Sequence, residues 1–116
     1  MAVQQVIDIT ADLNDNTICQ LDIGGWDFAV VQLVTVAGTW SFFTSNDSGD
    51  ITGVSDGSAT SATNFISVQG TNLATGSGVT SLATAGLVKF SGIGRFLKIS
   101  GGTSVSKGLV RLYKIC

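Results

Sequence analysis

Short runs of alternating hydrophobic and polar residues, each closed by glycine or a polar turn, organise most of this chain. Alternation with a period of two is the pattern of a strand with one buried face. The runs predict about eight strands, over Ala2–Ile7, Thr17–Leu21, Phe28–Val36, Thr39–Ser45, Phe65–Asn72, Gly86–Ser91, Arg95–Ser100 and Lys107–Ile115. In Thr39–Ser45, Trp40, Phe42 and Thr44 share one face and Ser41 and Phe43 the other. Phe28–Val36 is apolar on both faces, which predicts a central strand in a closed core. Ala37-Gly38 reads as a tight turn that makes Thr39–Ser45 its hairpin partner. Gly92/Gly94 and Gly101/Gly102 read as the turns between the last three strands.

The connections are polar. Asp12-Leu13-Asn14-Asp15-Asn16 reads as a turn, and no segment shows a convincing helical period, although the polar stretches have room for one short helical turn. Asn46–Asn64 is a long loop of Gly, Ser, Thr, Asp and Asn, and a second such stretch covers Leu73–Ala85. Loops of that length tend to be functional or covered. Together these features predict an all-β fold, a two-sheet β-sandwich of about eight strands, jelly-roll-like in order. At 116 residues the chain is expected to form one domain with a substantial core.

Composition narrows the chemistry. The chain has no histidine, and its eight acidic residues are all aspartates. Histidine is the usual proton carrier near neutral pH and the commonest metal ligand. Ser-His-Asp and Cys-His catalysis and typical zinc sites are therefore excluded. Asp12-x-Asn14-x-Asn16 matches the first oxygens of a calcium loop, but Thr17 and Ile23 stand where that loop needs glycine and glutamate. No glycine cluster forms a phosphate-binding motif. No enzyme activity, metal or cofactor is expected. Cys19 lies in an apolar run and is expected to be buried, whereas Cys116 is expected near the surface. No basic, apolar leader and no membrane span is visible, so synthesis in a cytoplasm is expected, with no membrane partner.

Charge is sparse and segregated. Only 12% of residues are charged, about half the usual share. Residues 1–88 carry all eight aspartates, and residues 89–116 carry all six basic residues. The two segments can pair within one fold, or between copies of the chain. Six cations spread over alternating strands do not form a phosphate-binding patch, so no nucleic-acid partner is expected. The chain contains no proline, which leaves its strand edges free to pair.

The candidate contact residues follow from these features. Ala2, Val3, Gln4, Gln5 and Val6 form a terminal strand that either pairs inside the sandwich or meets another chain. Trp26, at a strand entrance beside Gly24-Gly25, is either a lid on the core or an exposed contact. Asp47, Asp50 and Asp56 in the long loop could meet Lys107, Arg111 and Lys114 of a neighbouring copy.

The string Gly38-Thr-Trp-Ser-Phe-Phe-Thr-Ser-Asn-Asp-Ser-Gly49, followed by Phe65–Leu73, Gly86-Leu-Val-Lys-Phe90, Gly94-Arg-Phe-Leu-Lys-Ile99 and Leu109-Val-Arg-Leu-Tyr113, resembles small β-sandwich structural proteins of tailed bacteriophages. The resemblance spans about residues 26–115 and implies no catalytic residue. It implies a virion component, foremost a capsid decoration (cement) protein, often trimeric, whose partners are the major capsid protein and its own copies. Its place would be the capsid surface. The alternative is a tail- or fibre-associated module that binds a receptor or glycan.

Overall fold

The computed structural model describes residues 2–46 and 64–115. Among these residues, eleven strands and one helix follow in the order β1 (Ala2–Asp8), α1 (Thr10–Asn16), β2 (Ile18–Asp22), β3 (Phe28–Val34), β4 (Ala37–Ser45), β5 (Ile66–Ser67), β6 (Gly70–Asn72), β7 (Gly78–Val79), β8 (Ser81–Leu82), β9 (Gly86–Ser91), β10 (Phe96–Ser104) and β11 (Lys107–Ile115). They form two antiparallel sheets. One has the order β1-β11-β3-β9-β6-β7; the other has β2-β10-β4-β5, with β8 also pairing β4. The long strands pass back and forth between the sheets, and the first strand lies beside the last. This is the expected two-sheet antiparallel sandwich.

The core lies between the sheets and comes from one face of each strand. Ala29, Val31, Leu33, Val88, Phe90, Val110 and Leu112 face Cys19, Leu21, Trp40, Phe42, Leu97 and Ile99. Phe42 and Phe90 meet edge-to-face across the gap, with ring centroids 5.0 Å apart. Cys19 is buried, as its apolar run implied. The predicted face of β4 holds, since Trp40, Phe42 and Thr44 are buried while Ser41 and Phe43 are half-buried.

Four local expectations are corrected. The segment Asp12–Asn16 belongs to a helix, α1, rather than to a turn. Only one of its side chains, Leu13, is buried, so the segment carries no visible helical period. Leu13 and Ile9 close one end of the sandwich against Gly108, where an added Cβ would lie 3.1 Å from both. Asn14 also ties the helix to the sheet. Its amide donates to the Val105 carbonyl at 3.0 Å and accepts from the Val105 N–H at 2.8 Å, taking the place of a strand neighbour. Both polar ends of the Asn14 amide are thus engaged in the fold.

β3 and β4 are not hairpin partners. β3 lies between β11 and β9, whereas β4 joins β10 in the opposite sheet. The positive φ is at Thr35, at 52°, and the chain crosses there between layers. Gly38 also has a positive φ, 80°, but lies within β4, packed against the backbone of Thr103.

Gly101 and Gly102 are not a turn either. They lie inside β10, at an irregularity where the register against β4 shifts. Gly101 has φ 103°, and Gly102 lies directly against the indole of Trp40. Finally, Phe65–Asn72 is split. β5 pairs with β4 and β6 with β9, so the chain changes sheets between them. Gly70 marks the change, because a Cβ there would come within 2.6 Å of both Val88 and Phe90.

Candidate functional site

The buried faces account for half of each strand. In the six-stranded sheet the other half is also rich in apolar side chains, and no further layer among the described residues covers it. The ladder registers place Val6, Arg111, Val30, Lys89 and Thr71 in one row across β1, β11, β3, β9 and β6. The next row holds Asp8, Leu109, Gln32 and Leu87, and the row on the other side holds Gln4, Tyr113, Phe28 and Ser91. A groove of about 250 Å³ runs between Val6, Val30, Leu73, Leu87, Leu109 and Tyr113, with Gln32 and Arg111 at its wall. Val6, Leu73 and Leu87 are 46%, 48% and 40% exposed. A second hollow continues past Leu73 and Leu87 toward Val34 and Ala85. Contiguous exposed apolar surface of this kind usually marks an interaction site.

The polar groups on this face are held in place. Tyr113 and Phe28 stack with centroids 4.6 Å apart, and the Lys89 ammonium lies 4.5 Å above the Phe28 ring. Arg111 donates to the Gln4 side-chain oxygen at 2.8 Å. Lys107 pairs with Asp8 at 2.9 Å at the end of β1. The Asp8 carboxylate also accepts from the Thr10 hydroxyl at 2.6 Å and from its N–H at 3.0 Å. These donors, Thr10 first and then Lys107, hold its pKa far below the usual carboxylate range. The arrangement offers shape, apolar area and fixed cations, which suits contact with a macromolecule.

The expected contact residues divide. Gln4, Val6, Lys107 and Arg111 come together on this outer face. Gln5 is exposed on β1, and Lys114 is exposed near the end of β11, both at positions that alternate with the outer row. Ala2 and Val3 begin β1, which pairs along its length with β11, so the terminal strand belongs to the sandwich on that side. Trp26 lies elsewhere. It is half-buried against the core, beside a hollow of about 250 Å³ between residues 23–28 and 90–95 that shares no lining residue with the groove. Its role is thus closer to a core lid. Asp47, Asp50, Asp56 and Cys116 lie outside the described residues.

Among the described residues, segregated charges pair within the fold. Arg95 meets Asp22 at 2.9 Å, which raises the arginine pKa further, and Lys107 meets Asp8. Lys98 lies over Phe43 and Phe65, at 4.6 and 4.7 Å. Val30, Leu73, Leu87, Leu109 and Tyr113 were not expected as contact residues. For Val30 the signal is the apolar content on both faces of Phe28–Val36, a pattern that implies complete burial. Among the described residues no three His, Cys, Asp or Glu side chains gather as a metal site, and no helix is long and apolar enough to cross a membrane.

Comparison with known proteins adds one fold-level finding. No family model matches the chain, and no curated protein sequence matches it. Among solved structures it is similar to the crystal structure of SPBc2 prophage-derived protein YomS, with a TM-score of 0.64 and 11% sequence identity. The match covers 98% of this chain and 96% of that one. At this identity the likeness shows a shared fold across nearly the whole length of both.

Proposed function

We propose that this chain is a structural protein of a bacteriophage particle and acts by contact rather than by catalysis. The observation that carries the reading is the fold likeness to a prophage-derived protein, which covers 98% of this chain and 96% of that one. The sequence resemblance to phage β-sandwich proteins supports the same reading. The more specific proposal is capsid decoration. The outer face of the six-stranded sheet, centred on Val6, Leu73, Leu87 and Leu109, docks on the major capsid protein, with copies of the chain itself as second partners. The protein would then be made in the host cytoplasm and reside on the virion.

Sedimentation of the purified chain with heads, and separately with tails, tests this. Decoration predicts saturable binding to expanded heads and little to free tails or unassembled capsid protein. Binding confined to tails, or to cells and glycans without any particle, would replace it with the tail or receptor reading.

A further inference from the structure

We infer that β1 pairs edge-to-edge with β1 of a second copy, across a twofold axis through Gln5, to join two six-stranded sheets into one. This sharpens the self-association proposed above; it concerns the free chain, so its failure would leave binding to a particle untouched.

The argument begins with the edges. A sheet edge exposes unpaired N–H and C=O groups, and natural proteins blunt such edges with charges, proline, bulges or short length. Three edges here are blunted. β5 and β7 are two residues each. β2 is shorter than β1, at five residues. β1 is different: it is seven residues long, has an unbroken register with β11, and carries no proline, glycine or charge before Asp8.

The directions of the free groups can be read from the ladder. The Ile9 N–H bonds to the Gly108 carbonyl at 2.9 Å, continuing the β1–β11 register by one step. In an antiparallel pair, bonded and non-bonded positions alternate. Ile7, Gln5 and Val3 therefore bond to β11, while the backbone groups of Ala2, Gln4, Val6 and Asp8 point away from it.

These four positions are arranged to match their own image. The middle of β1 is Gln5. An antiparallel copy centred there sets Gln4 opposite Val6 of the second copy and Ala2 opposite Asp8. Each pair can exchange two backbone bonds. Positions of equal parity meet, so both outer faces stay on one side and the two apolar grooves become one surface. Gln5 is exposed and would stand opposite its own image, where two neutral amides can bond to each other. A second copy is favoured as occupant because this is a closed, isologous contact that leaves no further long edge open in that sheet.

Size-exclusion chromatography with light scattering, on the full chain over a range of concentrations, tests the inference. The expected result is a mass of twice the chain. Gln4→Pro removes an outward N–H without touching the β11 ladder, as edge strands tolerate. It should raise the dimer dissociation constant by at least about tenfold, with an unchanged far-UV circular dichroism spectrum. Gln5→Lys sets like charges opposite each other and should also give monomers, and mixing it with Gln5→Glu should restore dimers. If Gln4→Pro does not fold, the Gln5 pair decides. A monomer at every concentration, a trimer, or a dimer indifferent to the Gln5 charges would overturn the inference.

Discussion

Gly102→Ala should destabilise the protein well beyond what the loss of one half-buried strand glycine would suggest. A Cβ at position 102 would lie 2.2 Å from Cε2 of Trp40 and 2.4 Å from Cδ2 and Nε1. Ordinary van der Waals contact begins more than an ångström further out. The indole cannot swing away, because Trp40 is fully buried in the core between the sheets. Either the ring shifts into Phe42 and its neighbours or β10 lifts from β4. Overpacking of this kind costs about 1–3 kcal/mol, and the rigidity of both partners puts the value near the top, about 3. For a chain of this size that is a fall in melting temperature of about 10 °C. Gly25→Ala is the matched control. It has φ 86° but nothing within 4 Å, so it carries only the left-handed penalty of about 1–2 kcal/mol. Chemical denaturation of both variants, and of Gly102→Ala combined with Trp40→Phe, completes the test. The smaller ring should recover part of the loss, giving a favourable coupling in the cycle. A Gly102→Ala protein no less stable than Gly25→Ala would refute the close approach.

Asn14→Ala should cost about 1–3 kcal/mol in urea denaturation, because it strips both partners from the Val105 backbone. Asn14→Asp should be no better at neutral pH, since it sets a carboxylate against the Val105 carbonyl. The Asp8 carboxylate has a folded pKa depressed by Thr10 and Lys107, so its stabilising effect is present above its unfolded value of about 3.9 and is lost as pH falls below it. Asp8→Asn should flatten that acid limb of a stability-against-pH curve and leave the neutral region less changed in shape. Val6→Asp and Leu87→Asp both lie on the exposed groove, so each should leave the melting temperature within a few degrees while abolishing cosedimentation with particles. Normal binding by both would move the contact away from this face.

The sandwich was legible because period-two burial is a local signal. Burial alternates along β3, β9 and β11, and β4 buries Trp40, Phe42 and Thr44 on the face its sequence predicts. What was not legible depends on long-range contacts. Gly101-Gly102 resembles a turn in isolation, but what selects glycine there is the Trp40 ring of a strand about sixty positions earlier. The same holds for Gly70, whose missing side chain makes way for Val88 and Phe90. Helix α1 was lost for the opposite reason. Seven residues with one buried side chain contain too little of the 3.6-residue period to register, and its Asp and Asn are also turn formers.

The outer face shows where such reading stops. Hydrophobic alternation reports that a side chain avoids water, not which chain shields it. On β3 the inner residues Ala29, Val31 and Leu33 are covered by the opposite sheet, while Phe28, Val30 and Val34 on the other face are only half-buried. Both rows look alike in sequence, so a strand apolar on both faces was read as wholly internal. The difference emerges only when the layers are counted: two sheets can cover two faces, and four faces exist. The outer face of the β2-β10-β4-β5 sheet carries Lys98 over Phe43 and Phe65, a cation placed across its aromatic surface. The opposite outer face carries Lys89, Lys107 and Arg111, beside a groove that stays open between Val6, Leu73 and Leu87. An apolar row that its own fold leaves open is what a partner's surface would complete, and with so few charges elsewhere on the chain this face is where contact would be most favourable.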